Sequence, residues 1–290
     1  MSSNVSPPPF YDDLGRSAKE LFSKGYYDNT LALDMKFKAA TIGNSCFGFS
    51  SFKLDSKKGV GIGTSQTAMG FPKVGLSITK TWKATNTHSA EVKCDGVGVF
   101  KGAALTVDHT TDDDLKVKMA YKNNRLALNT DLDFLKSARP QLISGSGVFQ
   151  FCDGGIIGLK SKFDMNDFKL KNTNFAVGYN TKEYVFNLNM SDENSYSSHI
   201  YRKVNPFLET GVELEWSSIN TDTKFGFGCK YAWTNRDTTV RAKVNSSNQI
   251  GLSLTGKLID GVTITSSALI NCQNFNQGGY KFGAGIELEV

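Results

Sequence analysis

Apolar and polar residues alternate with a period of two along most of this chain, and this alternation restricts the fold more than any other feature. The segment LALDMKFK (31–38) places four apolar side chains on one face of a strand and its charged side chains on the other. LKVKMAYK (115–122) and YVFNLNM (184–190) repeat the pattern. About nineteen such segments of roughly ten residues lie between Leu31 and Val290, separated by turn residues. The sequence therefore predicts an all-β protein without a linker.

A sheet of this many hairpin-joined strands is expected to close into a barrel, because closure removes its unpaired edges. A soluble carrier barrel has about eight strands and an apolar interior, so about nineteen strands would enclose a wide apolar cavity with nothing to fill it. A membrane barrel instead places apolar residues against lipid and charged residues against water, and its tilted strands need about ten residues each. We therefore predict a transmembrane β-barrel of about 19 strands.

Composition excludes several other classes of protein. The net charge is +5, and the Lys and Arg residues are spread along the chain, whereas a nucleic-acid-binding surface normally concentrates them. The five cysteines are far apart and form no C-x-x-C pair, which argues against a disulfide framework and a zinc site. No apolar run approaches the roughly 18–20 residues of a membrane-spanning helix. We expect no nucleic-acid partner, no metal and no cofactor.

The residue types that usually carry catalysis form no recognisable constellation. His88, His109 and His199 have no nearby carboxylate or cysteine pattern that predicts a triad or a metal site. The acidic run at 112–114 is typical of a turn, and the glycines at 59–63 lack the complete G-x-G-x-x-G motif leading into a helix. We therefore expect that the protein is not an enzyme.

The N-terminal segment YDDLGRSAKELFSKGY (11–26) has a different period and predicts an amphipathic α-helix over about residues 11–24. Its apolar stripe can pack on a wall, and this stripe consists of Leu14, Ala18, Leu21 and Phe22. The domain organisation that follows is an N-terminal segment with the helix, residues 1–29, and a barrel, residues 30–290.

These residues resemble the eukaryotic mitochondrial porins, or voltage-dependent anion channels, of which the chain looks like a divergent member. The helix is similar to the family pattern Y-x-D-L-G-[KR]-x-[AS]-[KR]-[DE]-[LV]-F-x-[KR]-G-Y. The segment YAWTNRDTTVRAKVNSSNQIGLSLTGKLIDG (231–261) is similar to the family's signature region, and GGYKFGAGIELE (278–289) is also family-like. The match runs from end to end.

The resemblance implies a fold and a function. The fold is a barrel of nineteen strands, with the first and last paired in parallel and the helix inside the pore. The function is a voltage-gated, weakly anion-selective channel of the mitochondrial outer membrane that passes ATP, ADP and other small metabolites. Membrane lipid and small anions are the implied partners, with homo-oligomers and docking by kinases or apoptosis regulators as further ones. A poorly conducting docking or scaffold protein stays open as an alternative, as does a protein-import barrel of the same fold.

The resemblance also implies residues that contact nucleotides and metabolites in transit. On the helix these are Arg16, Lys19 and Lys24, whose cationic groups can bind phosphate oxygens through charge-assisted hydrogen bonds. Two further contact segments carry over from the family, and they consist of Gln249, Ile250, Gly251, Ser267, Ala268, Leu269, Ile270 and Asn271.

The polar face of the strands predicts a lumen with excess positive charge, which concentrates anions without binding them tightly. The cations that we expect to line the pore are Lys36, Lys38, Lys116, Lys118, Arg241 and Lys243.

Three positions depart from the family pattern. The Gly-rich hinge after the helix is GYYDN (25–29) here, with Gly25 its single glycine, which predicts a stiffer connection. A glutamate that some members place on the lipid face is replaced by Lys80, for which we predict a location near a membrane interface. A Gly-Leu-Lys tripeptide is replaced by Gly102, Ala103 and Ala104, so the lysine contact is missing.

Overall fold

Nineteen β-strands account for the alternating segments of the sequence. The computed structural model describes residues 7–26, 31–40, 46–55, 62–71, 76–83, 88–95, 102–110, 114–135, 141–191, 194–218, 223–233, 237–274 and 279–289. In chain order the strands are β1 (Leu31–Ala40), β2 (Cys46–Asp55), β3 (Ile62–Phe71), β4 (Leu76–Lys83), β5 (His88–Asp95), β6 (Ala103–Thr110), β7 (Asp114–Lys122), β8 (Leu126–Leu135), β9 (Leu142–Gln150), β10 (Gly155–Asp164), β11 (Lys169–Asn180), β12 (Tyr184–Ser191), β13 (Ser195–Lys203), β14 (Leu208–Ser217), β15 (Thr223–Trp233), β16 (Thr238–Asn245), β17 (Gln249–Ile259), β18 (Val262–Asn271) and β19 (Tyr280–Glu289).

The strands form one closed sheet. Each strand pairs antiparallel with its neighbours in sequence, as in β2 with β3 and β18 with β19. The ring closes where β1 pairs parallel with β19, with Leu31 opposite Phe282 and Phe37 opposite Leu288. The predicted barrel, its strand number and its parallel closure are therefore confirmed.

The outer face of the barrel is apolar. Large apolar side chains such as Phe149, Ile157 and Phe175 are about half exposed, at 49%, 50% and 50%. Their sequence neighbours Val148, Ile156 and Ala176 are buried and belong to the opposite face, because successive residues of a strand point to opposite sides. An exposed apolar band of this size is what lipid contact requires.

The N-terminal segment lies on the concave side of the sheet. It consists of a 3-10 turn, η1 (Tyr11–Asp13), and an α-helix, α1 (Arg16–Ser23). η1 contacts β9 and β10, whereas α1 contacts β13 to β16. The buried wall residues that pack on the segment, such as Val148 and Val185, lie on the face opposite the exposed apolar band, so the segment lies inside the barrel. Neither helix is long and apolar enough to cross a membrane.

The helix is shorter than the predicted one over about residues 11–24, because the chain turns at Leu14 and Gly15. Leu14 has an extended backbone conformation and Gly15 a left-handed one, with φ of 70°. A left-handed residue cannot continue a right-handed helix, so α1 starts anew at Arg16. The segment therefore has a corner, which we call the Gly15 corner, between its two helical parts.

Candidate functional site

The lumen is the candidate site, and the apolar side of the N-terminal segment packs on its wall. Leu14 is 2% exposed and lies in a cluster with Val148, Ile156 and Ala176. The apolar residues of α1 form a second cluster, which contains Ala18, Leu21 and Phe22 of the helix and Val185 and Tyr201 of the wall. The predicted apolar stripe is thus confirmed.

Wall glycines allow the helix to approach the sheet closely. A Cβ atom on Gly211 would lie 2.7 Å from Leu21 Cδ1, and one on Gly228 would lie 3.1 Å from Phe22 Cε1. Side chains at these two positions would occupy the space that the helix fills, so glycine is needed there for the helix to pack on the strands.

Polar contacts hold both ends of the segment. Near its start, Lys160 Nζ donates a hydrogen bond to Asp12 Oδ1 at 2.5 Å. Near its end, Lys243 Nζ donates to the Phe22 carbonyl at 2.6 Å and lies 4.2 Å from the centre of the Tyr26 ring. A cation at the carboxyl end of a helix stabilises the exposed carbonyls there. The segment is therefore attached at both ends as well as along its apolar face.

Burial perturbs the two tyrosines that flank the helix. It raises the pKa of Tyr11 to about 12, with a smaller contribution from the Asp12 carboxylate. It also raises the pKa of Tyr26 to about 12, mainly because the phenolate would be desolvated against the wall. Both side chains are therefore neutral in the docked segment at physiological pH.

The Gly15 corner is bound by the wall. The orientation of the Asn187 amide follows from its hydrogen-bond partners. In this orientation its oxygen accepts a hydrogen bond from the Gly15 N–H at 2.9 Å. A Cβ atom on Gly15 would lie 3.5 Å from His199 Cβ, so His199 lies directly beneath the corner. Asn187 and His199 are opposite each other in adjacent strands and are 0% and 5% exposed.

The three predicted helix cations differ in their surroundings. Arg16 lies between two acids of its own segment, with Nε 3.0 Å from Glu20 Oε1 and Nη1 3.3 Å from Asp13 Oδ1. These carboxylates raise the pKa of Arg16, the Glu20 hydrogen bond most of all. Lys19 and Lys24 are exposed to the lumen. Of the three, the two lysines are the better placed to bind a passing anion.

On the inner face, together with acids, lie four of the predicted pore-lining cations: Lys116, Lys118, Arg241 and Lys243. Lys116 Nζ lies 3.5 Å from Asp133 Oδ1, and Lys118 is the strand partner of Asp131. Arg241 Nη1 donates to Thr255 Oγ1 at 3.4 Å, and Lys243 is bound to the helix. Lys36 and Lys38 lie in β1, whose side chains are outside the described residues.

The two C-terminal contact segments are divided between the faces of the sheet. Gly251 pairs with Lys243 and Leu269, so these residues share the inner face with Gln249, Ser267 and Asn271. Ile250, Ala268 and Ile270 alternate with them and lie on the outer face. Only the residues of the first set face the lumen.

The three departures from the family pattern fall in different environments. Lys80 is exposed on the outer face. Across the neighbouring strands it is in register with Ala90, His109 and Leu115. Leu115 points outward, because the next residue, Lys116, lies on the inner face. Ala104 pairs with Ala120 on the inner face.

Gly25 has φ of 84°, which suits the end of a helix, and lies against Ser253 and Arg241. Of the tether that follows, residues 27–29 lie outside the described residues.

Sequence reasoning missed the wall partners of the segment. Lys160, Asn187 and His199 all occupy polar positions of alternating strands, so the pattern could have placed them in the lumen. It could not indicate that they contact Asp12 or the Gly15 corner, because strand register and helix position determine those contacts.

The arrangement supports conduction. A ring of nineteen strands, spaced about 4.8 Å apart and tilted about 40°, is roughly 35–40 Å across between backbones. Such a lumen admits water and small solutes beside the helix. No group of three or more potential metal-binding side chains occurs among the residues that the structure describes.

Comparisons with known proteins agree with this geometry. A family model described as eukaryotic porin matches residues 7–283. The chain is 38% identical over 288 residues to the "Non-selective voltage-gated ion channel VDAC2" of Xenopus laevis, and this alignment covers 98% of this chain and 99% of that protein. It is 35% identical over 289 residues to the "Voltage-dependent anion-selective channel" of Drosophila melanogaster, and this alignment covers 98% of this chain and 99% of that protein. Among solved structures, a mutant of the Rh. blastica porin shares the fold with a TM-score of 0.50 at 10% identity, covering 82% of this chain and 96% of that one.

Proposed function

The chain belongs to the eukaryotic porin family, and we propose that it is a voltage-gated, weakly anion-selective channel of the mitochondrial outer membrane. Small hydrophilic metabolites, including adenine nucleotides, diffuse through it. The names of the relatives support voltage gating, and one of them supports anion selectivity. The observation that carries the proposal is the helix docked inside a closed barrel that is apolar outside and charged inside.

The lumen selects by charge without a tight binding site. Its lysines face acids such as Asp131 and Asp133, so positive charge exceeds negative charge only modestly, in line with a net charge of +5. A weak excess raises the local concentration of anions and leaves them free to move on. Selectivity should therefore weaken as salt screens the wall.

The docked segment is the element that voltage can act on. It carries the exposed cations Lys19 and Lys24, and an α-helix of eight residues is too short to be stable in water by itself. Its docking depends on the contacts of Leu14, Leu21 and Phe22 with the wall. In the proposed function, release of the segment from the wall accompanies closure.

Nucleotide contact is assigned to Lys19 and Lys24, supported by Gln249, Gly251, Ser267, Leu269 and Asn271 on the inner face. Arg16 contributes less, because Asp13 and Glu20 already neutralise it. Homo-oligomers and docking by kinases or apoptosis regulators belong to the same proposal. Lys80 is the outer-face residue at which such docking would differ from that of relatives with glutamate there.

Release of solutes from vesicles tests the proposal. Purified protein is reconstituted in liposomes loaded with ATP and with a fluorescent dextran much wider than the lumen. We expect ATP to escape while the dextran is retained. Retention of both solutes would contradict the channel and favour the scaffold alternative, which the missing lysine at Ala104 also favours.

A further inference from the structure

A buried histidine lies beneath the pore segment, at the Gly15 corner. His199 is 5% exposed, and its Cβ and Cγ lie 3.5 and 3.6 Å from where a Gly15 Cβ would be. Its Nδ1 is buried and has no hydrogen-bond partner among the residues that the structure describes. The helix thus covers a titratable nitrogen that the wall does not satisfy.

Charged groups surround this imidazole on two sides. Lys19 of the helix and Glu215 of β14 interact with it electrostatically, and Glu213 is its partner across the sheet. Its other strand partner, Asn187, is neutral, and the amide oxygen is engaged by the Gly15 N–H. No acceptor in this set reaches Nδ1.

Protonation is unfavourable while the helix is docked. An imidazolium would bury a second N–H donor without an acceptor, and the Lys19 ammonium would repel it. Glu213 and Glu215 attract the charge, but this attraction does not supply the missing hydrogen bond. Once the helix leaves the wall, water reaches the ring and Lys19 moves away. The docked helix therefore binds neutral His199 better than charged His199, and protonation from the lumen favours the released helix.

We propose that His199 is a positioning residue that supports the Gly15 corner only while its imidazole is neutral, so that mild acid releases the pore helix and closes the channel at lower voltage. This inference rests on the proposed function, in which release accompanies closure. Histidine is suited to this role because its charge ordinarily changes between about pH 5 and about pH 8.

The test compares voltage gating of single channels at about pH 7.5 and about pH 5.5, which bracket ordinary histidine titration. The variants are His199→Gln, which keeps a polar side chain without the titration, and His109→Gln as a matched control on the outer face. For the wild type and His109→Gln, the ratio of open to closed channels at a fixed voltage should fall roughly three- to tenfold in acid. For His199→Gln the change should be largely lost. A full acid response in His199→Gln would overturn the proposal.

Hydrogen exchange of the α1 amides in detergent micelles provides a second readout. Acid should speed their exchange, corrected for intrinsic rates, in the wild type but not in His199→Gln. If His199→Gln lacks the far-UV spectrum of a folded barrel, His199→Asn replaces it in both measurements. Absence of current at either pH would refute the proposed function instead, and the exchange data would then decide the role of His199 alone.

Discussion

At the scale of residues, apolar contacts contribute more to docking of the pore segment than charges do. Leu14 is almost fully buried, and removing such a side chain costs about 2–5 kcal/mol. The ion pair between Asp12 and Lys160 is 60% and 24% exposed at its two side chains, and exposed pairs contribute about 0.2–1 kcal/mol. The wall lysines therefore orient the segment, and the apolar stripe holds it.

Leu14→Ala and Asp12→Asn should separate these contributions. We expect Leu14→Ala to accelerate hydrogen exchange of the α1 amides by a large factor, corresponding to about 2–5 kcal/mol. Asp12→Asn should change it by the equivalent of about 1 kcal/mol or less. Equal effects of the two substitutions would contradict the assignment.

Lys19→Gln and Lys24→Gln should weaken the contact with nucleotides. Each substitution removes an exposed cation from the path of ATP, so we expect a weaker reduction of chloride current by added ATP. Ile250→Val is the matched control, because Ile250 lies on the outer face, and it should leave ATP block unchanged. A loss of block in the control alone would exclude this assignment of faces.

Residue positions were predictable to the extent that they follow the period of two or the helical stripe. Leu14, Ala18 and Leu21 were identified in this way, and so was the face of Lys116 and Lys118. The ion pairs of Arg16 with Asp13 and Glu20 were not predicted. Side chains three and four residues apart come together only once the helix has formed.

At the scale of elements, the pore segment is a 3-10 turn and a helix joined at a corner. The amphipathic pattern predicted one continuous helix, since leucine and glycine at positions 14 and 15 do not by themselves stop a helix. The Asn187 hydrogen bond and the approach of His199 favour the left-handed conformation of Gly15. Tertiary contacts therefore override local propensity here.

Gly211→Val should displace the helix from the wall, because its side chain would enter the space that Leu21 occupies. We expect faster exchange of the α1 amides in Gly211→Val, and partial recovery when it is combined with Leu21→Ala. Strictly additive effects of the two substitutions would contradict direct contact.

Alkaline pH should also weaken docking. The pKa of Tyr11 is raised from an ordinary value of about 10 to about 12 in the docked segment. The stabilisation from neutral Tyr11 is therefore complete below about pH 10 and is lost as pH rises through about 12. Spectroscopic titration of tyrosinate should show a late-ionising group that Tyr11→Phe removes. A Tyr11→Phe spectrum identical to that of the wild type would exclude it.

At the scale of the whole molecule, closure of the sheet determines the function. Alternation alone predicted strands and a membrane barrel, and the resemblance supplied the parallel pairing of β1 with β19. Neither could predict the path of the helix along the wall, because this path depends on contacts between residues far apart in sequence, such as Lys243 with Phe22.

Current through single purified copies in a planar bilayer, under a gradient of KCl, tests the central claim that the charged lumen is a water-filled path. We expect a large conductance that falls at high voltage of either sign, with a reversal potential that indicates weak preference for chloride and moves toward zero as salt rises. A silent bilayer containing folded protein would exclude a water-filled path, and a reversal potential of the opposite sign would exclude a lumen with excess positive charge.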